Sequence, residues 1–229
     1  MGVIMSQTSI SQIIKDSEVT QELAGRSGGE RNGGRKFESK IRKGRIDDRV
    51  LTAMQKKNSS ILSNPIFRNY PKQLSEREVA ELMIKNDFFD KNRNRNGNGF
   101  NTHFASTQIN SDNVVVDYTS RLMWQQHGSI EPMSFEEAQN WIAELNQIGY
   151  ANFHDWRLPT LEEAMSLMKN EGQIGDLFQD CIFGPQQSGI WTSDYTENSI
   201  LAWVVFFRYG SCHANCYDLD NFVRAVRLT

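Results

Sequence analysis

Regularly spaced apolar residues are concentrated after residue 74 of this 229-residue chain. The stretch "LSEREVAELMIKNDFF", residues 74–89, has apolar positions at helical spacing and begins with a capping box of Ser75 and Glu78. It therefore predicts a short amphipathic helix. The apolar face of that helix contains Val79, Leu82 and Met83.

Two more helices are predicted further along, at residues 134–149 and 160–172. Each begins with Ser or Thr and has Glu three residues later, which is the pattern of a capping box, and Gly149 is placed to end the first helix. Their apolar stripes are Phe135, Ala138, Trp141, Ile142 and Leu145 in the first and Leu161, Ala164, Met165 and Met168 in the second.

Strand patterns fill most of the remaining C-terminal half. Residues 113–125, "NVVVDYTSRLMWQ", predict two short strands around a turn at Thr119–Ser120. The apolar run at 200–207 predicts a buried strand, and the alternating residues 221–228 predict the last strand, joined to it by a polar connection. Two helices followed by a strand-rich end favour the α+β class over a parallel βαβ sheet.

The pattern divides the chain into three parts. Residues 100–229 are predicted to form the packed domain, because all the tryptophans fall within them and large aromatic side chains contribute most to a core. Residues 1–73 are predicted to be a basic, flexible region, since 24–49 are rich in Gly, Arg and Lys and poor in apolar residues. Residues 74–99 supply the short helix and a link, and the flexible part of that link is expected at 90–100.

Charge follows the same division. Residues 1–110 contain 19 Lys and Arg against 12 Asp and Glu, whereas 111–229 contain 6 against 16. Such asymmetry suggests different partners for the two halves. The basic region could contact nucleic acid or an acidic partner, or be a solvated linker; the lack of interleaved aromatic residues favours the linker.

The sequence predicts a cytoplasmic protein with reduced thiols. Three cysteines are too few for a disulfide framework, and no export signal is recognisable at the N-terminus. No apolar run approaches the ~20 residues needed to cross a bilayer, so no membrane span is expected.

Enzyme signatures are missing from the sequence. The four histidines are scattered, and neither a nucleophile elbow nor a Gly-rich phosphate loop is present. The paired carboxylates Glu136–Glu137 and Glu162–Glu163 lie in first helical turns, where they favour the helix dipole. We therefore predict no catalytic residue.

The segment "CHANC", residues 212–216, raises the question of a metal site. Cys212, His213 and Cys216 would converge only in a tight turn, the usual CxxC spacing is absent, and Cys181 is distant in sequence. The prediction is that the chain holds no metal and no cofactor.

Residues 208–221 are almost entirely small or flat polar groups, a composition typical of adaptable contact surfaces. Nearly all of these residue types can be reached from an asparagine codon by changing adenines. We expect a recognition rim from 193–198 and 208–221, the alternative being an ordinary polar hairpin. The candidate ligand-binding residues are Asp194, Tyr195, Glu197, Arg208, Tyr209, Ser211, His213, Asn215, Tyr217, Asp218 and Asp220.

Several of these motifs together resemble a known family. "DYTSRLMWQQ", "SFEEAQNWIAELN", "DWRLPTLEEA", "IWTSDY", "AWVVFF" and "FVRAVR" occur in order and resemble the Lcl-type C-terminal domain over roughly residues 90–229. The resemblance implies a C-type-lectin-like fold, with two helices flanking small antiparallel sheets. It also implies a link to variable proteins of diversity-generating retroelements, whose C-terminal ligand surface is rewritten by adenine-directed mutagenesis.

The expected function is that of a non-enzymatic module that binds a protein or glycan ligand through the rim. An oligomer would be compatible with this role. The alternatives are a glycan-binding adhesin-type subunit and an enzyme related to formylglycine-generating proteins, whose cysteine motif is not found here. Calcium-dependent sugar binding is not expected, because "EPM" at 131–133 lacks the third oxygen ligand of such loops.

Overall fold

The computed structural model describes residues 66–172, 177–197 and 200–229, so the predictions made for residues 1–65 lie outside the described residues. The helices are α1 (Glu76–Lys85), α2 (Phe135–Ile148) and α3 (Leu161–Met165), with a 3₁₀ turn at Tyr150–Asn152. The strands are β1 (Phe104–Ile109), β2 (Asp112–Asp117), β3 (Leu122–Gln125), β4 (Ile190–Tyr195), β5 (Leu201–Phe206), β6 (Ser211–Cys216) and β7 (Val226–Leu228).

The strands form two small antiparallel sheets. One has the order β1-β2-β3-β7, and in it Trp124 of β3 lies opposite Val226, so the last strand returns to the first part of the domain. The other has the order β4-β5-β6. Single bridges tie the loop before α3 to β7, through Arg157 and Val226, and the segment before β7 to β4, through Phe222 and Ile190. The α+β class with small antiparallel sheets is confirmed.

The predicted helix caps are also confirmed. Ser75, Ser134 and Thr160 each accept a hydrogen bond from the backbone N–H three residues later, and the Glu at that position reaches back to the cap. Gly149 ends α2 with φ of 70°, in the left-handed region that favours glycine. Helix α3 is shorter than predicted. It ends at Met165, and Met168 forms a single bridge with Gln179 instead of continuing the helix.

The link expected to be flexible at 90–100 is instead tied to the core by specific hydrogen bonds, which corrects the prediction. Asp90 is fully buried, and the Asn94 side chain donates to the backbone oxygens of Met83 and Phe88 at 3.2 and 3.0 Å. Polar residues here satisfy backbone groups in tight turns, a role that composition alone does not separate from that of a solvated linker. The core also includes residues before position 100: Phe67, Leu74, Val79, Met83, Phe88 and Phe89.

Tryptophans occupy the centres of two packed clusters. Trp124 and Trp203 belong to the cluster that contains α1 and α3, whereas Trp156 and Trp191 belong to the one beneath α2. Trp156 and Trp203 are both buried, as expected for tryptophans of the packed domain. Across the described ranges, no helix is both long enough and apolar enough to span a membrane.

Candidate binding surface

The "CHANC" segment is a strand, β6, at the edge of the three-stranded sheet. It pairs with β5, where Cys212 lies opposite Val205 and His213 opposite Val204. Adjacent residues of a strand point to opposite faces, so Cys212 and His213 are directed apart. Within the described residues, no three His, Cys, Asp or Glu side chains are grouped as a metal site would require.

The outer edge of the first half of β6 is covered by three residues that we call the edge clamp: Asp90, Lys91 and Arg93. Asp90 Oδ2 accepts the backbone N–H of Cys212 at 3.0 Å, and Arg93 Nη1 donates to the Cys212 carbonyl at 2.8 Å. The Lys91 N–H donates to the carbonyl of Gly210 at 2.9 Å. The clamp therefore satisfies edge groups that would otherwise be open to another strand.

The inner face of β6 packs into the core. Cys212 is fully buried in the cluster that contains Val205 and Trp203, and burial raises the pKa of its thiol well above the ordinary value. Its sulfur lies beside the clamp, 3.6 Å from Arg93 Nη1. A buried thiol with a raised pKa is a poor nucleophile, so Cys212 has a packing role.

The outer face of β6 carries the polar candidates. His213 is exposed and Asn215 is half-buried, and Asn215 lies in one cross-strand row with Ala202 of β5 and Tyr195 of β4. The small side chain of Ala202 separates the two polar ones. We call the following set the β6 surface: Tyr195, Glu197, Arg208, Tyr209, His213, Asn215, Tyr217, Asp218 and Asp220, all exposed or half-buried.

Aromatic contacts hold this surface in place. The Phe206 ring lies 5.7 Å from that of Tyr209 and 6.0 Å from that of His213, centroid to centroid. The Tyr217 ring stacks on Phe135 at 4.7 Å, and the Tyr217 carbonyl accepts the Phe135 N–H at 2.9 Å. Burial, with Tyr195 nearby, raises the pKa of Tyr217. Tyr209 remains 59% exposed, so it offers the larger free contact area.

Two of the predicted site residues are not on this surface. Asp194 is fully buried: its carboxylate pairs with both terminal nitrogens of Arg68 at 2.7 Å and accepts the N–H groups of Lys72 and Leu161 at 2.7 Å. Burial alone would lower the pKa of Arg68, but the hydrogen bonds and charge of Asp194 raise it. Asp194 therefore joins the segment around residue 70 to the core, which corrects its assignment to ligand recognition.

Ser211 is the second correction, since it is only 2% exposed. Its hydroxyl lies 2.9 Å from His213 Nε2, and the same nitrogen is 3.4 Å from the Asn92 side-chain amide. In the part of the chain that the structure describes, no carboxylate hydrogen-bonds the His213 ring. The pair thus lacks the third group that would orient the imidazole as a base toward Ser211.

Arg224 is a feature that the sequence analysis missed. It is fully buried, with its guanidinium 4.4 Å from the centre of the Phe183 ring, and Nη1 donates to the carbonyls of Gln125 and Gln126. Burial lowers its pKa to about 9. An Arg in an alternating strand pattern is normally expected to face solvent, so nothing in the sequence marks this role.

Comparison with known proteins identifies one family. The model described as the Lcl C-terminal domain matches residues 113–227, half of the chain, from β2 to the closing strand β7. The searches of the curated proteins and of the solved structures return no match. On the strength of the family match, this chain belongs to the Lcl C-terminal domain family.

Proposed function

We propose that this protein is a non-enzymatic binding module whose β6 surface recognises a protein partner. The observation that carries the proposal is the division of β6, which buries Cys212 inward and presents His213 and Asn215 outward beside Tyr209. Tyrosine gives a large amphipathic contact at low entropic cost, and Asn and His add adaptable hydrogen bonds.

The backbone beneath this surface is fixed before any ligand binds. Strand β5 pairs with one edge of β6, and the edge clamp holds part of the other through Asp90, Lys91 and Arg93. A pre-organised surface loses less entropy on association than a free loop would. The arrangement supports selective binding by side chains on an ordered strand.

We further propose that the domain has a C-type-lectin-like fold and that its surface is diversified by a retroelement. In support, positions 208, 209, 213, 215 and 218, all exposed or half-buried, carry residue types within reach of adenine changes in an asparagine codon, and all lie on or beside one strand. Sequencing the neighbouring DNA tests this. A near-copy of the last part of the gene that differs only at adenines is expected, with changes at exposed codons and none at the codon for buried Cys212.

A pull-down with the full chain tests the binding role. The bait variant replaces Tyr209, His213 and Asn215 with Ala, and we expect it to lose a protein that the parent captures from extracts of the source cells. The matched control replaces three exposed residues of the other sheet, Ser106, Thr107 and Gln108, with Ala and should capture that protein normally. Equal capture by both variants would contradict the proposal, whereas capture that persists only with glycosylated partners would favour the adhesin-type alternative.

The observation that favours a second candidate, an acyl-transfer enzyme, is the 2.9 Å contact of Ser211 with His213. The burial of Ser211 and the absence of a carboxylate on His213 among the described residues argue against it. We expect Ser211→Ala to leave any hydrolysis of p-nitrophenyl acetate unchanged. A rate that falls to background only in this variant would establish the enzyme reading instead.

A further inference from the structure

A cleft separate from the outer edge of β6 lies between α2, β4 and the segment at 69–71. Its volume is about 240 Å³, below the ~300–1,000 Å³ of pockets that hold drug-sized ligands. One six-membered ring is therefore the scale of ligand that it suits. The lining residues are Asn69, Pro71, Gln139, Ile142, Arg157, Leu158 and Ser193.

Three uncharged polar side chains line the cleft. The side-chain amides of Asn69 and Gln139 make no hydrogen bond to any described residue, and the Ser193 hydroxyl, buried at the wall, has no partner there either. An amide and a hydroxyl each both donate and accept hydrogen bonds. A ligand that offers several groups of the same kind would satisfy both amides.

The cleft carries no free charge. Arg157 is its single charged lining residue, and both its terminal nitrogens donate to the carboxylate of Glu163 at 2.6 Å, which is itself fully buried. An anionic ligand would have to compete with this bidentate pair. The electrostatics therefore select a neutral ligand.

The remaining walls are apolar. Pro71, Ile142 and Leu158 offer carbon surface on which a flat, partly apolar ring face can rest. A ring with hydroxyl groups on its rim and C–H groups on its faces matches both the polar and the apolar lining. An extended peptide does not, because the cleft is too short to hold it.

From this match we propose that the cleft binds a single neutral sugar residue, with Asn69 and Gln139 hydrogen-bonding its hydroxyls. The site is distinct from the β6 surface and does not depend on the function proposed for that surface. Its affinity is weak, with a Kd of about 1 mM, because the contact area is small.

Saturation-transfer NMR on the full chain tests the proposal with glucose, galactose, mannose and N-acetylglucosamine as probes. We expect at least one of them to bind saturably, and Gln139→Ala to raise its Kd about three- to tenfold, the loss expected for one neutral hydrogen bond. Gln147→Ala is the matched control, since it removes an exposed glutamine from the same helix outside the cleft and should leave the Kd unchanged.

Three outcomes overturn the proposal: no saturable binding of any probe, equal Kd values for the Gln139→Ala and parent proteins, or glucuronate binding more than fivefold tighter than glucose. Circular dichroism on each variant separates a lost site from a lost fold. The Tyr209, His213 and Asn215 triple variant should bind the sugar like the parent, so failure of the β6 surface proposal and failure of this one are distinguishable.

Discussion

The two faces of β6 show how one polar sequence serves two purposes. On the inner side the Cys212 side chain is buried, and at the strand edge Asp90 and Arg93 hold the Cys212 backbone by charge-assisted hydrogen bonds. On the outer side, His213 and Tyr209 both contact the Phe206 ring, His213 also lies within hydrogen-bond distance of Ser211, and both side chains remain exposed. Asp90 and Arg93 are largely buried and stabilise the fold, whereas Asp218 and Arg208 of the β6 surface are exposed and remain available for contacts.

The largest effect is expected from removing the segment that supplies the clamp. A fragment of residues 66–229 should unfold cooperatively, whereas one of residues 100–229 should not fold, because it lacks Phe67, Leu74, Val79, Met83, Phe88 and Phe89 from the core. Near-UV circular dichroism and thermal denaturation measure this. Native-like melting of the shorter fragment would show that the inner face does not need the preceding residues.

Trp203→Ala should destabilise the protein by ~3–5 kcal/mol, since the side chain is fully buried and its loss leaves a cavity. Tyr209→Ala, in the exposed turn that joins β5 to β6, should change the free energy of unfolding by no more than ~0.5 kcal/mol. Urea denaturation compares the two. Similar losses in both variants would mean that the faces are not energetically different.

Asp194→Ala should cost about 3–5 kcal/mol, because it leaves the largely buried Arg68 guanidinium without one of its two carboxylate partners. Asp218→Ala is the matched exposed change and should be nearly neutral. Chemical denaturation of both proteins separates an aspartate that supports the fold from one that is free to bind. A stable Asp194→Ala protein would remove the reason for excluding Asp194 from the surface.

Thiol labelling gives a smaller but direct comparison. In the native protein Cys181 and Cys216 are exposed and Cys212 is buried, with the pKa of its thiol raised by burial. Iodoacetamide should modify two cysteines quickly and the third only after unfolding, as mass spectrometry can count. Rapid labelling of all three under native conditions would indicate that the edge clamp opens readily.

The smallest expected effect belongs to the triple change of Tyr209, His213 and Asn215 to Ala. Each exposed or half-buried side chain should contribute within ~0.5 kcal/mol to stability. Thermal melting tests this before any binding assay. A marked loss of stability would show that the outer face is structural after all, and the binding proposal would lose its premise.

Sequence patterns predicted the parts of this fold that depend on local chemistry. The capping boxes at Ser75, Ser134 and Thr160 were correct because both partners lie within four residues. The roles of Asp90 and Asp194 were not predictable, because their partners Cys212 and Arg68 lie more than a hundred residues away. Strand β6 was not predicted, because its inward positions carry Cys212 and Ala214 rather than large apolar residues, so the alternation that marks a half-buried strand is weak.

The edge clamp also fixes how much change β6 tolerates. Asp90 and Arg93 bind the strand through the backbone of Cys212, so these hydrogen bonds do not depend on which side chains stand at 213 and 215. A one-residue slip of the strand register would turn the outward side chains toward the core. The hydrogen bonds to the backbone of Cys212 oppose such a slip. The strand can therefore serve as a display scaffold: a library randomised at its outward positions should keep its alignment, provided that Cys212, Asp90 and Arg93 are left untouched.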